Sequence, residues 1–179
     1  LWSKIMAGSL IKIAETTVTT GVSSVTLTGI DSTFDVYKVV VSNMEIDTDN
    51  KFMEYRYTVS GTADSSSNYD QSLCELRADS SFDFAGFTNG NSGALDNLGT
   101  ATGETGNYVL YLFNFNNSSE FSFNTLEGVA RSSAGNLRSR QGGCLLRVAQ
   151  VTDGISFGRF ADSGTNIDKG TFTLYGLRK

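Results

Sequence analysis

The chain of 179 residues is long enough for one domain with a sizeable core of its own. Its 14 Lys and Arg against 19 Asp and Glu give a net charge of −5, which argues against a nucleic-acid footprint. Histidine is absent, which excludes Ser-His-Asp and Cys-His catalysis, histidine-based metal sites and the usual proton shuttle near neutral pH.

Only 18% of the residues are charged, so small neutral polar groups must cover much of the surface, as in extracellular proteins and permanent assemblies. Cys74 and Cys144 lie far apart in the chain and suit either a disulfide or two free thiols. No run approaches the roughly 18 apolar residues of a membrane span. The opening "LWSKIMAGSLIKIAE" turns polar too soon for a signal peptide, and Met6 is a candidate initiator.

Proline is also absent, so Gly, Asn, Asp and Ser supply the breaks, and between them the apolar period is two. "LIKIAE", residues 10 to 15, predicts a short edge strand within an N-terminal arm over residues 1 to 20. "SSVTLTGI", residues 23 to 30, sets Val25 and Leu27 against Ser24, Thr26 and Thr28. "TFDVYKVVVSNM", residues 33 to 44, is apolar enough for a central strand. In "KFMEYRYTVSG", residues 51 to 61, Met53, Tyr55, Tyr57 and Val59 alternate with Glu54, Arg56 and Thr58. The short acidic connection "EIDTDN" predicts that these last two strands form a hairpin.

Residues 71 to 78, "QSLCELRA", suit a strand or one or two helical turns. "FTNGNSGALDNLGTATGETGN", residues 87 to 107, has no periodic apolar face and reads as a long loop, on the free surface or held by another subunit or a ligand. Strand pattern returns in "YVLYLFNFN", residues 108 to 116, and "EFSFNTLEGVA", residues 120 to 130. "RSSAGNLRSRQGG", residues 131 to 143, reads as a polar loop, followed by strands at 144 to 151, 154 to 161 and 170 to 177. In the last, "GTFTLYGL", Phe172 and Leu174 point inward, Thr171 and Thr173 outward, and Tyr175 is left to cap a sheet or meet a partner. A strand that close to the C-terminus is expected inside a sheet, with Gly176 allowing a close approach or a bulge.

Nine to ten short strands without a convincing helix predict an all-β fold over residues 21 to 179, an antiparallel β-sandwich of jelly-roll-like form, with a β-barrel as the alternative. No fixed-period repeat is visible.

The chemistry-bearing residues are sparse. Glu54, Asp70, Glu75 and Glu120 are the carboxylates available to a glycosidase, but nothing marks one pair over another, and a surface Glu beside Arg56 is the expected role of Glu54. Asp31, Asp35, Glu45, Asp47 and Asp49 are the densest acidic residues. Asp31, Asp47 and Asp49 are the metal candidates among them, but "EIDTDN" lacks the glycine-bearing calcium-loop pattern, so solvated turns are expected and no cofactor. "GNSGAL" lacks the lysine and the helix of a phosphate loop. Arg131, Arg138 and Arg140, with Arg147 beyond, form a basic cluster without interleaved aromatics, suited to inter-subunit salt bridges or solvent. Tyr55 and Tyr57, Tyr108 and Tyr111, and Phe121 and Phe123 either fill a core or form a stacking platform for sugar rings. Asn116 and Asn117 each fit the glycosylation pattern, which otherwise describes a polar turn.

The segments "SLIKIAETTVT…SSVTLTGIDSTFDVYKVVVSNM", "YRYTVSGTADSSSNYD", "YLFNFNNSSEFSF" and "GTFTLYGLRK" resemble small virion structural proteins of tailed phages, especially marine and cyanobacterial ones. The resemblance spans most of the chain, is strongest at the "LTGID" opening and the "TLYGL" ending, and carries no catalytic residues. It implies a non-enzymatic, tail-associated fibre or adaptor component that mediates subunit assembly in the virion. The alternatives are a head decoration protein or a carbohydrate-binding module that takes a host glycan through Tyr55, Tyr57, Tyr108 and Tyr111; an enzyme ranks third. Partners are then further copies, a trimer first, and other virion proteins, without nucleic acid or membrane. Contacts are expected at residues 6 to 20, 87 to 107 and 131 to 143, through Ile11, Ile13, Leu95, Leu98, Arg131, Arg138 and Arg140, and at Tyr175.

Overall fold

Alternation along the strands decides the layers. In the computed structural model, which describes residues 9–79, 82–162 and 164–178, the strands are β1 (Leu10–Val18), β2 (Ser24–Thr28), β3 (Val36–Ile46), β4 (Lys51–Val59), β5 (Thr62–Ala63), β6 (Tyr69–Arg77) and β7 (Asp83–Gly90), followed by β8 (Gly93–Leu98), β9 (Gly106–Phe113), β10 (Phe121–Arg131), β11 (Leu137–Ala149), β12 (Gly154–Gly158) and β13 (Ile167–Leu177). There is no helix among the described residues. Eight strands form one antiparallel sheet in the order β1-β13-β3-β9-β10-β11-β6-β7. The smaller sheet runs β2-β12-β4, and the far edge of β4 pairs with β5 near Thr58 and with β8 between Lys51 and Tyr55.

The two sheets stack as the predicted antiparallel sandwich, and the chain passes repeatedly from one layer to the other in the jelly-roll manner. The large sheet is open, with β1 and β7 at its two edges, so the barrel alternative does not hold. Between the layers lies one apolar core. A cross-strand row of Leu73, Gly142, Leu126, Leu110, Val39 and Leu174 runs from β6 to β13 and presents one face inward. Met53, Tyr55 and Tyr57 of β4, Ile155 and Phe157 of β12, and Val25 and Leu27 of β2 meet that half of the sandwich from the other side, all buried.

β13 sits between β1 and β3, bonded on both sides, with Phe172 and Leu174 fully buried, as its sequence predicts. At Gly176 the backbone comes so close to Phe34 that any side chain there would run into the ring. Tyr175 points outward and pairs across the strands with Lys12 and Lys38.

Three expectations are corrected. β3 and β4 are not a hairpin: β3 pairs with β13 and β9, and β4 with β12, β8 and β5, so the short connection crosses between layers. A turn with Asn50 at φ 59 makes that crossing and lets both strands bury an apolar face from opposite sides. The supposed loop at 87 to 107 contains β8 and the end of β7, and its Leu95 and Leu98 belong to the core rather than to a subunit contact. The supposed loop at 131 to 143 is a hairpin of β10 and β11, closed by Gly135 at φ 78 and by the Ser132 N–H donating to the Asn136 carbonyl. Residues 71 to 78 resolve to β6 and its following turn.

The Phe172 ring packs on Phe157 at 5.5 Å between centroids. Phe172→Ala is expected to remove about 3–5 kcal/mol of unfolding free energy, whereas Thr171→Ala on the outward side should change it by about 0.5 kcal/mol or less. Equilibrium urea denaturation reads both, and equal losses would contradict the inward phase of β13.

Candidate interaction surface

Most residues singled out in the sequence are engaged inside the fold. Arg140 of β11 is buried and lies opposite Glu75 of β6, donating from Nε to Glu75 Oε2 at 2.7 Å and from Nη1 to the Leu95 carbonyl. Arg77 Nε reaches Glu75 Oε1 at 2.5 Å, and Arg138 stands 3.7 Å from both Glu75 and Asp96. Asp96 of β8 is 3.7 Å from Arg140, whose guanidinium also lies 5.5 Å from the Phe52 ring centroid. Two predicted interface arginines, Arg138 and Arg140, therefore belong to an ion cluster between the layers. Arg131 is exposed and holds the Gly135 and Thr102 carbonyls.

Of the proposed sugar platform, Tyr55, Tyr57 and Tyr108 are buried and offer no ring to a ligand. Tyr55 and Tyr57 donate their hydroxyls to Asn124 Oδ1 at 3.0 and 2.6 Å, deep between the sheets. Tyr111 alone stays on an outer face, with Lys38 Nζ 5.4 Å from its centroid. Among the carboxylates, Glu54 accepts from the N–H groups of Phe160 and Ala161 at 2.7 and 3.0 Å, and Asp70 pairs with Arg147 at 3.0 Å.

The metal candidates are likewise occupied with turns. Asp31 accepts from the Thr33 N–H and Asp47 from the Asn166 N–H, both at 2.8 Å, while Asp49 lies exposed beside Gly99. No group of acidic and cysteine side chains among the described residues is placed to hold an ion. A hollow of about 540 Å³ is lined by Glu45, Asp47, Glu104 and Lys169, but Glu45 is paired with Lys169 and Glu104 accepts from the Ala101 N–H. Cys74 and Cys144 are free thiols on opposite faces of the large sheet, which removes the disulfide alternative. Burial pushes the Cys144 thiol up to about 12.

What the sequence did not foresee is the outer face of the large sheet. On β10, Ser122 and Asn124 point into the sandwich and Phe121 and Phe123 point out, the reverse of a core role for these aromatics. The phase of the strand is set by Leu126 and Ala130, which are buried on the same side as Ser122 and Asn124. Ser122 is satisfied by Thr152 at 2.7 Å, and Asn124 by the two tyrosines.

Four cross-strand rows build this face. Leu145, Phe123, Phe113 and Val36 form one; Ser72, Gly143, Thr125, Tyr111 and Lys38 the next. Phe84, Cys74, Gln141, Glu127, Val109 and Val40 form the third, and Leu76, Ser139, Val129 and Asn107 the fourth. Phe84 is 73% exposed, and Leu76, Phe123 and Val129 are exposed as well. The outer face of the small sheet is different: Thr26, Ser156 and Arg56 run across it, Thr26 and Ser156 share a 2.9 Å hydroxyl bond, and Phe160 covers Arg56 at 4.4 Å. The edge strand β1 adds exposed Leu10 and Ile11, while Ile13 packs against the core.

No protein-family profile, curated protein or solved structure matches the chain.

The ion cluster sets a pH dependence. Burial pushes the Glu75 carboxyl up, but the Arg77 hydrogen bond and the Arg140 and Arg138 charges outweigh it and hold the group below its ordinary 4.5. The stability it contributes is present above about pH 4.5 and is lost as pH falls through the lowered value. Asp96 works the other way, because burial, only partly offset by Arg140, the Asn97 N–H and Arg138, raises its carboxyl. Glu75→Gln is expected to cost about 3–5 kcal/mol near pH 7 by leaving buried guanidinium charge uncompensated. In urea titrations the gap from the parent protein should close on acidification; a constant gap would contradict the role given to the carboxylate.

Proposed function

We propose that the protein is a non-enzymatic structural component of a phage particle, tail-associated as a fibre or adaptor element, whose work is to hold subunits together. The assembly role is carried by one observation: the outer face of the large sheet leaves large apolar side chains, Leu76, Phe84, Phe123 and Val129, exposed among neutral polar residues and the charges of Lys38 and Glu127, where serine, threonine and a covered arginine occupy the small one. Contiguous exposed apolar surface on a β protein marks a place that another protein covers. The placement in a virion rests on the resemblance of the "LTGID" and "TLYGL" segments to small virion proteins of tailed phages.

The same reading accounts for the polar residues. Glu54 and Asp70, the carboxylates first in line for hydrolysis, are held by backbone N–H groups and by Arg147 in structural roles. Three of the four tyrosines proposed for a sugar platform lie in the core, which leaves Tyr111, with Phe121 and Phe123, on the outer side of the large sheet.

Quantitative mass spectrometry of purified particles, with cryo-electron microscopy of the same preparation, tests the proposal. A few oligomers per particle at the tail are expected. Hundreds of copies on the head would turn the assignment into decoration, and absence from particles would end the virion reading.

A further inference from the structure

We infer that the outer face of the large sheet from β3 through β9, β10, β11 and β6 to β7 seats a second copy of this chain, face to face about a two-fold axis; the inference rests on the assembly reading and gives it a surface and a partner. The first reason is the phase of β10. That strand buries Ser122 and Asn124 and leaves Phe121 and Phe123 to solvent, although a phenylalanine gains far more from burial than a serine. A covering protein removes this anomaly, because Phe123 then becomes buried on assembly.

The second reason is that the face carries both halves of a fit. Gly143 leaves a hollow of about 360 Å³ framed by Ser72, Thr88, Phe123 and Leu145. A second hollow of about 330 Å³ opens between Val40, Val109, Glu127 and Val129. Beside them stand the projecting side chains Phe123, Val129 and Leu76. A two-fold contact uses one patch twice, so a surface with projections and hollows side by side suits its own copy. The central charges, Lys38 and Glu127, are of opposite sign, so they need not oppose like charge in such a pair.

The third reason is size. With strands about 4.8 Å apart and same-face residues about 7 Å apart, the four rows over six strands span about 500 Å² in projection. Two such faces reach about 1,000 Å², the least that a specific contact needs, before the relief of the side chains is counted. A two-fold pair departs from the trimer expected for a fibre.

Sedimentation velocity over a concentration series is the test, with Cys74 as an internal reporter because it lies on this face, half-buried, in the row of Phe84 and Gln141. The parent chain should form dimers, and Phe123→Glu and Leu76→Glu, both at exposed positions, should each weaken association by about 100-fold. Ile11→Glu on the β1 edge should leave it unchanged. Maleimide should label Cys74 at least about tenfold faster in the two face variants than in the dimer, while Cys144 stays unreactive as proof of folding.

A monomeric parent chain whose Cys74 reacts as fast as in Phe123→Glu overturns the inference. So does association that survives both face variants and is lost with Ile11→Glu, which would move the contact to the sheet edge. A chain that dimerises through this face but is missing from particles would instead sink the virion reading and leave the contact standing.

Discussion

The fold depends on neutralising charge where the pleat points it inward. β6 and β11 run side by side in the large sheet, and their register sets Glu75 against Arg140 under the smaller layer. Each charge alone would be costly to bury, so each needs its partner in place before the layers close. Asp96 comes from β8, which pairs with β4, so the cluster ties the edge of the small sheet to β6 and β11, toward the β7 end of the large one. Arg140 adds a bond to the Leu95 carbonyl on the same strand. β8 has little apolar pattern, and its position is explained by these ties together with buried Leu95 and Leu98.

The same rule governs the tyrosine end of the core. Tyr55 and Tyr57 bring hydroxyls between the sheets, and Asn124 accepts both, with Gln71 bonded to the Ala94 backbone through both ends of its carboxamide. Burial drives the two tyrosine hydroxyls well above their ordinary range, so they stay protonated and donate. The polar residues that satisfy these groups had to come from β10 and β6. Once Asn124 faced inward, alternation obliged Phe123 to face out. The apolar outer face thus follows in part from how the inner polar groups are satisfied.

How much of this was legible follows from the same chemistry. β4 and β13 read correctly because their inward residues are apolar and their outward ones mostly are not: Met53, Tyr55, Tyr57, Phe172 and Leu174 all lie in the core, whereas β9, apolar on both faces, is legible as a strand but not in its phase. The first half of β11 looked like a loop because its inward positions are Arg138 and Arg140, which no hydrophobic period detects. β8 looked like a loop for a like reason, with Asp96 buried between two leucines. β10 was recognised as a strand but the side of its aromatics stayed open between core and outer platform, since Phe121 and Phe123 give the stronger alternation and only the longer frame through Leu126 and Ala130 turns them outward. The hairpin assigned to β3 and β4 failed because a short acidic turn serves a crossing between layers as well as a return within one.

The two outer faces then divide the labour. Across the small sheet, Thr26 and Ser156 satisfy each other and Phe160 lies over Arg56, so that face has its polar groups settled within the chain. Across the large sheet the two middle rows carry one charge of each sign, Lys38 and Glu127, and the ion pair of Asp70 with Arg147 stands at the end of the phenylalanine row. Protein–protein interfaces set apolar contacts inside a polar rim that excludes water from the middle. On the proposed assembly reading, such a subunit would have a direction, with the phenylalanine side turned toward its partner. A free monomer gains nothing from exposing Phe84 and Phe123, and that cost is the physical ground of the proposed contact.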